Sequence, residues 1–157
     1  MRPLVLLLSV LAACAGTPSK PADSATAALT PGQQCVRDAS AKRAGQPSEP
    51  ERVTVKHVLV RYAGARNATP AITRSREDAC LRAQEALDKL KSGASFAEVV
   101  ASYSDEAGAA TREGSLGAIE RKDVAPSFAD AAFELKMQEA SPVVESPFGF
   151  HVILRVE

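Results

Sequence analysis

The sequence predicts an α+β domain over residues 53–157, a small mixed or antiparallel sheet of about four strands flanked by helices, in the order β-α-α-β-α-β-β. Three observations carry this. All five Phe and both Tyr lie beyond residue 52, and there is no Trp, so the core must form from the C-terminal part. A β-branched run opens that part and an alternating run closes it. Between them, two Ser-led capping sequences each precede an apolar stripe at helical spacing.

Val53-Thr54-Val55-Lys56-His57-Val58-Leu59-Val60 is β-branched and partly alternating, which reads as the first strand. A loop over 62–73 follows, carrying Gly64, Asn67 and Pro70. Ser75-Arg76-Glu77-Asp78 starts a helix with Ala79, Ala83, Leu87 and Leu90 in one stripe, Ala86 beside it and Gly93 to stop it. Ser95-Phe96-Ala97-Glu98 opens a second helix whose inner face holds Phe96, Val99, Val100 and Tyr103. After a polar loop over 104–113, Ser115-Leu116-Gly117-Ala118-Ile119 is a short extended piece. Pro126 leads into a helix holding Phe128, Ala131, Ala132 and Leu135. The last strands span Pro142–Glu145 and Phe150–Val156. In the final one Phe150, Val152, Leu154 and Val156 point one way, and His151, Ile153 and Arg155 the other.

The 157 residues carry 19 basic and 19 acidic side chains, a balance that excludes an electrostatically driven nucleic-acid binder. Arg2 and the apolar run from Leu4 to Leu11 form a stretch too short for a bilayer span, which needs roughly 20 residues; residues 1–13 read as a signal peptide. Leu11-Ala12-Ala13-Cys14 resembles the bacterial lipobox, in which the cysteine receives acyl chains (palmitate among them) and becomes the N-terminus. The other reading is an ordinary secretory signal with an incidental cysteine. Ala15 after Cys14 favours the outer membrane over inner-membrane retention, so the expected place is the cell envelope, lipid-anchored at the periplasmic face. Residues 14–52 lack aromatics and are rich in Pro, Ala and Ser, and read as a flexible tether; a short helix around Cys35 to Lys42 is the alternative, with little in the sequence to support it. Cys35 and Cys80 then remain in a compartment that permits disulfides, either bridged or unpaired.

Six pieces in sequence now resemble the parvulins, the rotamase (PpiC-type) family of peptidyl-prolyl isomerases. They are Lys56-His57-Val58-Leu59-Val60; Phe96 with Ala101-Ser102-Tyr103-Ser104-Asp105; Gly114-Ser115-Leu116-Gly117; Phe128 to Leu135; Ser141-Pro142-Val143; and Phe148-Gly149-Phe150-His151-Val152-Ile153. The resemblance implies a parvulin-like fold over 53–157 and cis–trans isomerisation of X-Pro bonds, with no cofactor and no metal. It implies catalytic roles for His57, Glu106 and His151, and a proline pocket of Leu116, Val124 and Phe128 beside Phe148. His57 and His151 are the only histidines, each in a strand among apolar neighbours. They either organise a catalytic network or only stabilise the sheet. Leu116, Val124 and Phe128 can equally be core, and Glu106 a solvated loop carboxylate.

The loop after the first strand, with Ile72-Thr73-Arg74-Ser75-Arg76-Glu77, resembles the phosphorylation-directed, Pin-type branch. Arg61 and Arg66 match two of its basic positions, while Asn67 stands at a third. Two arginines can clamp a carboxylate, so the expectation is a preference for an acidic residue before proline; the plain reading is a solvated basic loop. Ser115 replaces an aspartate of the family pattern and removes a charge near the pocket; Gln138 replaces a turn glycine, so that turn is expected to differ locally; Phe148 lies near the serine of phosphate-directed members, where bacterial members commonly have an aromatic. The expected partners are unfolded or extended proline-containing polypeptides, met by a monomer held to the membrane by lipid. The alternative is a non-catalytic chaperone or peptide-binding module on the same scaffold.

Overall fold

The computed structural model describes residues 28–45 and 48–157. The expected signal peptide, the expected lipidation site Cys14 and the expected tether up to residue 27 lie outside the described residues. The elements are α1 (Pro31–Ala39), β1 (Val53–Val60), α2 (Arg76–Lys91), α3 (Phe96–Tyr103), β2 (Ser115–Ile119), a single 3-10 turn (Arg121–Asp123), α4 (Pro126–Glu134), β3 (Val144–Ser146) and β4 (Gly149–Arg155). The four strands form one sheet in the order β2-β1-β4-β3, antiparallel throughout.

Strand alternation divides the core between the two faces of this sheet. Val58 and Val60 of β1 and Phe150 and Val152 of β4 pack with Ala79, Ala83, Val99 and Val100 of α2 and α3. Val53, Val55 and Ile153 pack with Phe128, Ala132 and Phe133 of α4 on the other face. Both predicted capping serines cap: Ser75 accepts from the Asp78 amide, and Ser95 closes a full box with Glu98.

The tether expected over 14–52 is interrupted by α1. Thr30 and Gln33 close a capping box around Pro31, and Val36 and Ala39 are buried in the α2 side of the core. A nine-residue helix is marginal in water by itself. Here Cys35 is bonded to Cys80 on α2, and Ser40 donates to the Glu145 carboxylate at 2.5 Å. Further along, Arg121 grips Glu49 with Nε and Nη2 at 2.6 and 2.8 Å, so the approach to β1 is also fastened. Replacing Cys35 and Cys80 by alanine is expected to cost about 2–4 kcal/mol, as for other natural bridges. Amide exchange should then speed over 30–40 while β1 and β4 stay protected.

Two other expectations change in detail. The third strand begins at Val144 rather than Pro142, because Pro142 has no amide to donate to a ladder. Ser141 makes a separate contact with β4 instead, through its amide to the Ile153 carbonyl at 2.7 Å. The turn holding Gln138 keeps a glycine-like backbone, with φ 63°. Its side-chain amide donates to the Val156 carbonyl at 3.2 Å, which helps hold a conformation that L-residues seldom adopt.

Candidate active site

Alternation along β1 puts His57 on the same face as Val53 and Val55, and alternation along β4 puts His151 with Ile153. Both rings therefore emerge on the α4 face of the central strand pair. In the register His57 lies opposite Ile153 and Leu59 opposite His151, so the histidines are diagonal neighbours. Their rings stack at 5.5 Å with 15° between planes, and the two Nδ1 atoms stand 3.2 Å apart. Each residue is only 4% exposed.

The loop after α3 brings Glu106 to this pair. Ser104 Oγ accepts from the Leu59 amide at 3.2 Å, the Asp105 amide donates to the Leu59 carbonyl at 2.7 Å, and Asp105 Oδ2 accepts from the Arg61 amide at 2.8 Å. Glu106 follows directly, with Oε2 at 2.9 Å from His57 Nε2. The loop returns at Gly114, whose φ is +73° and whose carbonyl accepts from the His57 amide at 2.8 Å. A Cβ at Gly114 would lie 2.4 Å from the His57 carbonyl oxygen, so only glycine permits this approach.

At the far end, His151 Nε2 is 2.6 Å from Ser146 Oγ, which accepts from the Phe148 amide at 3.1 Å. Glu106, His57, His151 and Ser146 thus form one continuous hydrogen-bonded chain. Burial first, and then the positive surroundings that include Arg61, push the His151 pKa well below the usual value, so this ring is neutral and carries one N–H. The bond from His57 holds Glu106 below the ordinary carboxylate range against the cost of burial, with help from Arg112. A carboxylate only accepts, so His57 Nε2 donates to it.

Two proton orders satisfy the remaining links. In the first, the Ser146 hydroxyl donates to His151 Nε2, and His151 Nδ1–H donates to His57 Nδ1. In the second, His57 carries a second proton and donates to His151 Nδ1, whose Nε2–H then donates to Ser146. The second order leaves the Ser146 hydroxyl proton without a place in the chain. Adding one proton at one end therefore reorients a hydroxyl at the other.

Beside this chain opens a cleft of about 230 Å³, whose walls include Leu116, Val124, Phe128, Phe148 and Arg61 along with both histidines and Glu106. Phe128 meets both imidazoles edge-on, at 5.7 Å from His57 and 5.1 Å from His151. Leu116 and Val124 are half-buried and lean on the α4 side of the core, so they serve core and cleft at once. Arg61 donates through Nη1 to the Arg66 carbonyl at 2.7 Å. Arg66 itself does not line the cleft; its guanidinium sits over the Phe148 ring at 5.3 Å. Asn67 does line it. Arg74 is engaged elsewhere, donating to the Arg61 carbonyl and to Asp105.

Sequence reasoning missed Ser146 and Arg112. The signal for Ser146 is a small polar residue directly before the Pro147-Phe148-Gly149 turn and five positions ahead of a strand histidine. For Arg112 the sequence offers none beyond its place in the Glu106 loop.

The family model of the rotamase, or PPIC-type PPIase, domain matches residues 57–157. The putative peptidyl-prolyl cis-trans isomerase dodo of Drosophila melanogaster is 37% identical over 117 residues, covering 71% of this chain and 70% of that protein. The foldase protein PrsA of Halalkalibacterium halodurans is 42% identical over 72 residues, 46% of this chain and 22% of that much longer protein. Among solved structures, the PPIase domain of TBPAR42 superposes with a TM-score of 0.60 at 37% identity, covering 67% of this chain and 99% of that one. The chain belongs to the PPIC-type peptidyl-prolyl isomerase, or parvulin, family. Helix α1 lies outside the residues the family model matches.

Proposed function

We propose that this protein is a peptidyl-prolyl cis-trans isomerase for exported or envelope polypeptides, favouring an acidic residue before proline. The observation that carries the reading is an apolar ring-sized pocket of Leu116, Val124 and Phe128 set against the Glu106–His57–His151–Ser146 chain. Rotation about the prolyl amide faces a barrier of about 18–20 kcal/mol because twisting breaks resonance. A site accelerates it by binding the twisted amide better than either planar form, and each 1.4 kcal/mol so gained is a factor of about ten. The pocket holds the proline ring while the polypeptide carbonyl turns beside fixed polar groups. Glu106 acts there through its charge, without the nucleophilicity of a thiol.

Arg61 on the cleft wall supports a carboxylate at the residue before proline. The Cys35–Cys80 bridge supports an oxidising compartment, in keeping with the signal peptide and the lipobox-like Leu11–Cys14. Anchored by lipid at Cys14 and acting as a monomer without a cofactor, the domain would shorten isomerisation steps that otherwise take about 10–100 s.

A second reading, a folding module that grips proline-containing chains without catalysis, draws on the 42% identity to a protein named a foldase. Exchange NMR on Ala-Pro, Glu-Pro and phospho-Ser-Pro peptides separates these readings. Accelerated exchange is expected on all three, with Glu-Pro ahead of Ala-Pro by about two- to fivefold, the size of an exposed charge contact. Equal rates would sink the acidic preference. Shifts on binding without acceleration would leave the second reading in possession.

A further inference from the structure

Arg112 belongs to none of the matched motifs, yet its guanidinium is fastened at three points around the candidate site. Nε donates to the Ser115 carbonyl at 3.0 Å, Nη1 to the Ala107 carbonyl at 3.3 Å, and Nη2 to Glu106 Oε2. That carboxylate oxygen is the same one that meets His57. The two carbonyls come from opposite ends of the 107–115 loop, so the side chain is a crosspiece of the loop. A free surface cation loses rotamer entropy when it pairs, which keeps most exposed ion pairs weak. Arg112 is 38% exposed, but two carbonyls already hold its planar fork in place before Glu106 is counted.

We propose that Arg112 is a positioning residue: it holds Glu106 against His57 and thereby sets the direction of the hydrogen bonds through His57 and His151 to Ser146. The role assigned to the chain in catalysis rests on the isomerase reading; the proton order does not. A Glu106 carboxylate facing His57 alone would be balanced only by an imidazolium, which is the second of the two orders. With Arg112 on the same oxygen the charge is already balanced, and the chain keeps the order that starts from the Ser146 hydroxyl. The other charged groups facing the chain are Arg61 at the end of β1 and Asp123 from the turn before α4, both on the cleft wall. From α4 the Phe128 ring faces both imidazoles. Taking Arg112 away removes a cation that helps hold the Glu106 carboxyl below the ordinary range, so Glu106 is balanced by the chain alone and the second order is favoured.

The test follows the ring nitrogens of both histidines by NMR across a pH titration of the whole protein, for the parent and for Arg112→Gln and Arg112→Lys. In the parent, His57 should carry its proton on Nε2 and His151 on Nδ1 at neutral pH, with His151 passing to the Nε2–H form as pH falls. In Arg112→Gln that passage should come at a higher pH than in the parent. The acid limb of kcat/KM should move with it, and kcat should fall about tenfold with KM little changed. Arg112→Lys restores the charge without the fork, so it should return the midpoint toward the parent value and recover only part of kcat. Unchanged tautomers and an unchanged acid limb in Arg112→Gln would overturn the proposal. If the parent accelerates no peptide, the isomerase reading fails, while the ring-nitrogen titration still decides the role of Arg112. If Arg112→Gln does not fold, the lysine variant decides it: an intermediate midpoint supports the role, and a parent-like midpoint with parent-like kcat removes it.

Discussion

Phe128→Ala should lower kcat/KM on the order of a hundredfold and cost about 3–5 kcal/mol of stability. Both effects follow from one placement. Phe128 is 3% exposed on the first turns of α4, buried against the sheet while one side of its ring borders the cleft. Its edge contacts reach both imidazoles, so the ring walls both the cleft and the histidine pair, and on the proposed isomerase reading it is also the shelf for the proline ring. The helix that carries it is tied to the hairpin beneath, since Ser127 Oγ donates to the Glu145 carbonyl at 2.6 Å. Truncation would leave a cavity and loosen the chain it leans on. Phe128→Leu separates the two roles, because it keeps much of the volume and should cost under about 1.5 kcal/mol. Exchange NMR and urea midpoints on both variants make the check. Near-parent turnover in the stable leucine variant would reduce Phe128 to core.

The cleft was legible in the sequence to the extent that it depends on alternation. His57 and His151 each sit among the apolar residues of a strand, which marks both as inward-facing, and the register that sets His57 opposite Ile153 and Leu59 opposite His151 then brings them to one face of the sheet. Pro126 with Phe128 and the Ala131–Ala132 pair likewise announced α4. What escaped is set by backbone events that alternation does not encode. Ser146 reaches His151 because the hairpin turns through Pro147 and Phe148 into Gly149, whose φ of 136° lets the start of β4 pass close to the Val60 carbonyl, where a Cβ would lie at 2.4 Å. Arg112 matters through two carbonyls of a loop whose shape no periodicity specifies. Helix α1 had its capping residues in plain view at Thr30 and Gln33, but composition around it spoke for a tether. Its support comes from Cys80 and Glu145, which are 45 and 105 residues from their partners Cys35 and Ser40.

The histidine pair yields the other large effect. His151→Leu should cost about 2–6 kcal/mol, because it strips His57 Nδ1 and Ser146 Oγ of a shared buried partner, about 1–3 kcal/mol for each group left unsatisfied. His57→Leu should be costly for the same reason, leaving Glu106 and His151 Nδ1 short of a partner. The double variant replaces both ends of the Nδ1–Nδ1 link with apolar groups, so nothing on that link remains unsatisfied. It should therefore be more stable than the two single losses add up to, by about 0.5–3 kcal/mol. Turnover should be lost in all three, since the chain beside the pocket is broken in each. Denaturant unfolding of the set measures the coupling directly. Strict additivity would mean that the 3.2 Å approach of the two rings carries no hydrogen bond, and the proton relay to Ser146 would have to be abandoned with it. Coupling without loss of turnover would keep the bond and make the pair a fastening of the sheet, leaving catalysis to the pocket and to Glu106.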